Sequence, residues 1–244
     1  VTKYSGFYKV RVGAEKTCVM LTVFRREPSC KIDAFQHNVK CTAAQSLIRG
    51  EGTKQMLKAA LRFVTLRFPK AQVFEFADTS AINCSRGKTV SLIHHYFAKK
   101  GKTWYQAHFN AVPEGGNAVL AELRRHLEEP PTMLFDVFYD TYVRQSSSTI
   151  RKHKAAFKRA YESASSFKAF VSKLDEEYDC AIFYKWLEEY MDSVSPIRLS
   201  EIWWTIPRSE VAAWPKPVLT KVETTPMSGG TFKSLPRATK RGHF

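Results

Sequence analysis

The chain has 244 residues, 44% hydrophobic and 13% aromatic, enough to bury a core and too many for a disordered protein. Its net charge of +15 favours anionic partners: nucleic acid, acidic protein surfaces or phospholipid headgroups. No apolar run reaches the roughly eighteen residues of a membrane span, and nothing has zinc-finger, RRM or helix-turn-helix character.

In chain order, FYKVRV (7–12) and TCVMLTVFR (17–25) read as two strands, a hairpin turning near 13–16. Segment 31–46 is ambiguous. KIDAFQHNV suits a third strand, and TAAQSLI a short helix or the strand feeding the next loop. Gly50 and Gly52 then open a helix, because glycine permits the turns that bring several backbone N–H groups together. Leu57, Leu61, Val64 and Phe68 make its apolar stripe, and Pro69 ends it. A helix start of this kind is an anion site. Val73, Phe74 and Phe76 form a short buried strand, followed by the polar segment ADTSAINCSRG.

Val90, Ile93 and Phe97 predict a helix that stops at Gly101, ahead of GKTWYQAHFNA and a break at PEGG. From Asn117 the pattern turns helical: AVLAELRRHLEE, MLFDVFYDTYVRQ, one long amphipathic stretch from Ile150 to Leu174, and a last helix from about Glu176 to Met191. The expected class is α+β with α/β-like layering. An α/β domain spans 1–116, a helical region 117–206 and an extended basic arm 207–244. In the arm, prolines, glycines and threonines break every periodicity. Trp214, Pro217, Phe232, Leu235, Arg237, Lys240 and Arg241 are its expected contacts with neighbouring subunits.

Five widely spaced cysteines (Cys18, Cys30, Cys41, Cys84, Cys180) include no Cys-x-x-Cys pair. They argue for reduced thiols in a cytosolic setting and against a zinc site. His94 and His95, being adjacent, face different sides of a helix and cannot chelate as an i, i+4 pair would. With His108 they are assigned structural or surface roles, and no metal is expected.

Two resemblances follow from these motifs. The run Arg49, Gly50, Glu51, Gly52, Thr53, Lys54, then a strand, then a helix ending Tyr96-Phe97-Ala98-Lys99-Lys100-Gly101, resembles the GNAT acetyltransferase superfamily. In that family an Arg/Gln-x-x-Gly-x-Gly/Ala loop holds the pyrophosphate of acetyl-CoA on backbone N–H groups. Lys54 replaces a small residue of the pattern, and Lys102 replaces the aromatic after the glycine. The resemblance implies a GNAT-like mixed sheet with flanking helices and an acetyl-CoA site at positions 49–54. It also implies a base, Glu75 or Asp78, and an acid, Tyr96 or Tyr105, for amine acylation. The competing reading makes Asp78, Thr79 and Ser80 a turn or cap, Glu75 a solvent-facing strand residue and Tyr96 a core residue.

The second resemblance rests on FADTSAINCSRG and the box GKTWY (101–105). It is to proteins of large DNA viruses of algae and protists and implies a viral origin. Gly-Lys-Thr here is not a P-loop, because the first glycine of that motif is absent upstream; Trp104, Tyr105 and Phe109 are instead expected to wedge a helix onto the sheet.

Three functions are in play. The preferred one is a structural virion protein, a minor capsid component of a large icosahedral virus, made in host cytoplasm. It would hold major and minor capsid proteins, and an anionic inner membrane surface, without cofactor or catalysis. The alternatives are an acetyl-CoA-dependent N-acetyltransferase and a basic nucleic-acid-binding protein; binding by the latter would fall steeply with salt.

Overall fold

A computed structural model describes residues 1–13, 18–35, 51–145 and 148–215, without the side chains of 51–53 and 148–149. It is an α+β protein built on a seven-stranded mixed sheet. Strands β1 (Thr2–Lys3), β2 (Phe7–Val12), β3 (Val19–Phe24) and β4 (Ser29–Phe35) form an antiparallel meander. Helix α1 (Glu51–Arg67) leads into β5 (Val73–Ala77), which pairs parallel to β4. The expected strand segments at 7–12 and 73–76 appear, as does the α1 stripe except for Phe68, which lies just past the helix end and is half-buried. Leu57, Leu61 and Val64 are buried, as a helix covering a sheet requires.

The sheet order is β1-β2-β3-β4-β5-β9-β8. Here β8 is Val112–Pro113 and β9 is Trp203–Pro207, antiparallel to both of its neighbours. In β5 and β9 alternate residues are buried, and Phe74 lies opposite Ile206 and Phe76 opposite Trp204. This is the period of two that a sheet with one well-covered face imposes.

Between β5 and β8 stand a small hairpin, β6 (Ala81–Asn83) with β7 (Thr89–Ser91), and the helices α2 (Leu92–Lys100) and α3 (Trp104–Phe109). Gly101 ends α2 in the left-handed conformation, where glycine carries no Cβ penalty. The reading of Val90 as helical is corrected, because it lies in β7 and faces Ile82.

The residues between β8 and β9 are mainly helical: α4 (Ala121–Glu128), α5 (Phe135–Phe138), α6 (Ser148–Lys152), α7 (Lys154–Glu162), α8 (Phe167–Glu177) and α9 (Trp186–Val194). They pack on an aromatic core, in which Phe138 stacks on Tyr161 at 4.7 Å and meets the Trp186 edge at 5.6 Å. Two expected long helices are broken. The stretch from Ile150 to Leu174 divides at residues 163–166, where the Ser166 side chain caps α8 by accepting from Ala169 N. The helix expected from Glu176 to Met191 is interrupted by Asp179, which caps a short turn, and by Lys185 at φ 64°.

The helical residues are therefore an insertion between two neighbouring strands. The expected boundary at 206/207 falls inside β9, and residues 208–213 form α10 (Arg208–Ala213) rather than an extended arm. Pairing with β5 gives residues 203–207 their strand, and no local periodicity announces it. Among the described residues no helix is long and apolar enough to cross a membrane.

A further correction concerns the thiols. Cys84 and Cys180 form a disulfide across a sequence separation of 96, and Cys18 is also disulfide-bonded. Cys30 is buried and free. The fold, not motif spacing, brings the 84–180 pair together, which is why counting spacings did not find it.

Candidate functional site

Strand β5 places Phe74, Phe76 and Asp78 on its buried side and turns Glu75 the other way. Asp78, just past the strand end, is only 2% exposed. Its Oδ1 accepts from Ser80 N at 3.0 Å and from the Ser80 hydroxyl, an Asx-type turn. Its Oδ2 is buried without a partner. Burial raises the Asp78 carboxyl above its ordinary range, against the opposing pull of the Ser80 bonds and of His94.

Tyr105 reaches the same place from α3. Thr103 and Gln106 cap that helix reciprocally, Thr103 Oγ1 accepting from Gln106 N and Gln106 Oε1 from Thr103 N. The Tyr105 ring lies 4.4 Å from that of Phe76. Burial, followed by the nearby Asp78 charge, pushes its hydroxyl well above the ordinary tyrosine value. Asp78 and Tyr105 thus share one interior environment.

The other residues weighed for catalysis lie apart from this pair. Glu75 is half-buried on the opposite side of the sheet, with Lys31 and Thr205 as its cross-strand neighbours. Glu75 thus points away from the side on which Asp78 is buried. Tyr96 is half-buried on α2, its ring 6.3 Å from that of His108.

Positions 49–54 are partly visible. Glu51, Gly52, Thr53 and Lys54 already belong to the first turns of α1, and Lys54 is half-buried. Arg49 and Gly50 lie outside the described residues. Pairing of β4 with β5 stops at Lys31–Glu75, although β4 runs on to Phe35 and β5 to Ala77. Beyond that point each strand meets a ring of α3: Trp104 stands 6.3 Å from Phe35, and Tyr105 lies against Phe76. Two rings of the GKTWY box thus pack α3 against residues of β4 and β5.

Trp214, expected in an arm on neighbouring subunits, packs on its own chain. Its ring is 5.7 Å from Phe109, Lys58 lies over it at 5.5 Å, and Arg62 donates to its carbonyl. The other arm positions (Pro217, Phe232, Leu235, Arg237, Lys240, Arg241) lie outside the described residues.

The two adjacent histidines face different ways and hold different helices. His95 Nε2 is 2.7 Å from Asp175 Oδ1 of α8, and Lys99 pairs with the other Asp175 oxygen. Burial depresses the His95 imidazole, opposed by Asp175. His94 Nδ1 is 2.7 Å from Ser91 Oγ, and its Nε2 is 3.2 Å from Asp192 Oδ1 of α9. Neither acid was visible from local spacing, because each lies about 80 or more residues away in sequence.

Among the described residues, two groups contain donors of the types that bind cations. In one, Asp179 stands with Cys84 and Cys180, whose sulfurs are engaged in the disulfide. The other is His94, Glu188 and Asp192. Two open concavities of about 610 and 560 Å³ are lined by other residues, around Phe7 and Arg25 in one case and Ile197 and Trp203 in the other.

Compared with protein-family models, with characterised proteins and with solved structures, the chain shows no match.

Proposed function

We propose that the protein is a structural component of a virion, a minor capsid protein that joins neighbouring shell proteins. The observation that sets this reading above catalysis is the packing of Asp78 and Tyr105. A general base or acid must come within hydrogen-bond reach of the substrate proton, yet both side chains are buried, Tyr105 with its ring against Phe76 and Asp78 with one oxygen bonded to Ser80. Glu75 lies on the other side of the sheet. The virion assignment itself rests on the likeness of 101–105 and the preceding Asp-x-Ser segment to proteins of large DNA viruses. The +15 charge suits acidic surfaces of major and minor capsid proteins or an anionic inner membrane. Nucleic-acid binding would draw on charge alone.

The test is quantitative mass spectrometry of purified particles of the virus that encodes the chain, before and after detergent strips the membrane. A fixed copy number per major capsid protein, retained after stripping, is expected. Absence from the particles overturns the reading.

A second reading, acetyl-CoA-dependent N-acetyltransfer, is favoured by one observation. The β4–α1–β5 unit is a parallel pair joined by a helix with Gly52 in its first turn, and its pairing ends before the strands do. Calorimetric titration with acetyl-CoA and CoA separates the two. Micromolar binding lost in Gly52→Trp supports the enzyme. No heat at about millimolar ligand removes the cofactor site.

A further inference from the structure

We propose that His94, Glu188 and Asp192 form a binding site for a first-row divalent cation of the Zn²⁺ or Mn²⁺ kind, bridging α2 and α9. One ligand atom from each of the three lies within 4.8 Å of the other two. His94 Nε2 and Asp192 Oδ1 stand 3.2 Å apart. Two donors each about 2.1 Å from one ion, at tetrahedral or octahedral angles, stand roughly 3.0–3.4 Å apart, so this pair already spans one edge of a coordination polyhedron.

The imidazole is buried and fixed. Its Nδ1 is bonded to Ser91 Oγ at 2.7 Å, the outer partner that a ligating histidine requires to set its tautomer and orient its ring. With the Nδ1 proton donated to Ser91, the Nε2 lone pair faces the Asp192 carboxylate, and a cation between them turns that opposition into coordination.

Helix α9 contributes its two carboxylates at i and i+4, so they share one face in the first and last parts of the helix. Like charges at that spacing repel. With a neutral imidazole they bring a charge of two minus, which a divalent ion balances. The donor set of one nitrogen and two oxygens suits Zn²⁺ or Mn²⁺ better than a thiol-seeking ion.

Room for further ligands is present. A cavity of about 190 Å³ is lined by Ser91, His94 and Glu188, with Thr89, Tyr184 and Lys185 on its other sides. It opens beside His94 and Glu188, the two ligands that border it, and gives water access to the ion from that side. The ion would tie the helical insertion to the helix that follows β7. The inference stands apart from the virion reading, since it uses none of the residues on which that reading rests.

The test is titration of the full chain, stripped with EDTA and kept free of reductant so that Cys84 and Cys180 stay paired, with ZnCl₂ and with MnCl₂. One equivalent should bind at micromolar concentration and raise the thermal midpoint. Glu188→Gln and Asp192→Asn should each weaken binding by about tenfold or more. Glu188 is exposed, so its variant should fold, and near-ultraviolet circular dichroism checks both. Absence of binding at about 1 mM of either ion overturns the proposal and leaves a Ser91–His94–Asp192 hydrogen-bond chain. Binding that survives either substitution within about twofold overturns it too.

Discussion

The Asp78 carboxyl is held by one neighbour, Ser80, and leaves an oxygen with no partner in the interior. Its raised pKa fixes the direction of its effect on stability. In the unfolded chain the group ionises near 3.8, whereas in the fold it holds its proton to higher pH. Stability therefore falls as pH rises from about 4 through the folded value. Asp78→Asn keeps an oxygen for both Ser80 bonds and removes the buried charge. It should be at least as stable as the parent at pH 7 and show a flatter urea-unfolding profile between pH 4 and 8. Ser80→Ala should cost about 0.5–1.5 kcal/mol, because it removes the hydroxyl donor while the backbone N–H of residue 80 still serves Asp78 Oδ1. Sequence reading marked Asp78 and Tyr105 individually. It could not show that they come within electrostatic reach of each other, because α3 brings Tyr105 in from 27 positions further along the chain.

Arg208 decides how one helix ends. Its guanidinium donates to the carbonyls of Thr65, Phe68, Pro69 and Ala71, closing the C-terminal turn of α1 from the start of α10. Terminal carbonyls of a helix otherwise lack partners, and a planar fork can serve several where an ammonium cannot. Arg208→Ala should destabilise by about 2–3 kcal/mol in denaturant titration, with Arg208→Lys recovering only part. At this scale the sequence was informative where a single period sufficed. The stripe Leu57, Leu61, Val64 announced α1, and the alternation of Phe74 and Phe76 announced β5. It was silent on β9, since Trp203 to Pro207 form a strand only through their pairing with β5 and β8. It also overran the breaks within the insertion, because the apolar spacing of Tyr161, Val171 and Leu174 continues across Ser166, where the backbone turns out of the helix.

Among the described residues, a seven-stranded sheet and a small hairpin carry a helical insertion tied to the rest by covalent and polar links. The Cys84–Cys180 bridge joins the loop after β6 to the turn before α9, and His95, Lys99 and Asp175 tie α2 to α8. A bridge closing a loop of this length restricts the unfolded chain strongly. Cys84→Ser with Cys180→Ser should therefore lower unfolding free energy by about 2–5 kcal/mol, measured by urea titration without reductant. Adding reductant should lower the parent toward the double variant, with any remaining response of the double variant reporting the Cys18 bridge. Composition could not reveal this, since an odd cysteine count and wide spacing say nothing about which thiols a fold will bring together.

The late position of β9 also sets an order of events during synthesis. The ribosome delivers β1 to β5, then the hairpin and the whole helical insertion, before residues 203–207 emerge to sit between β5 and β8. Until then, among the described residues, the strand carrying Phe74 and Phe76 lacks its partner on one side and β8 lacks its partner β9. A nascent chain stalled short of residue 203 would carry an open sheet edge able to pair with other chains. Completion of the sheet is thus a post-insertion step, and the final fifth of the chain closes what the first third began.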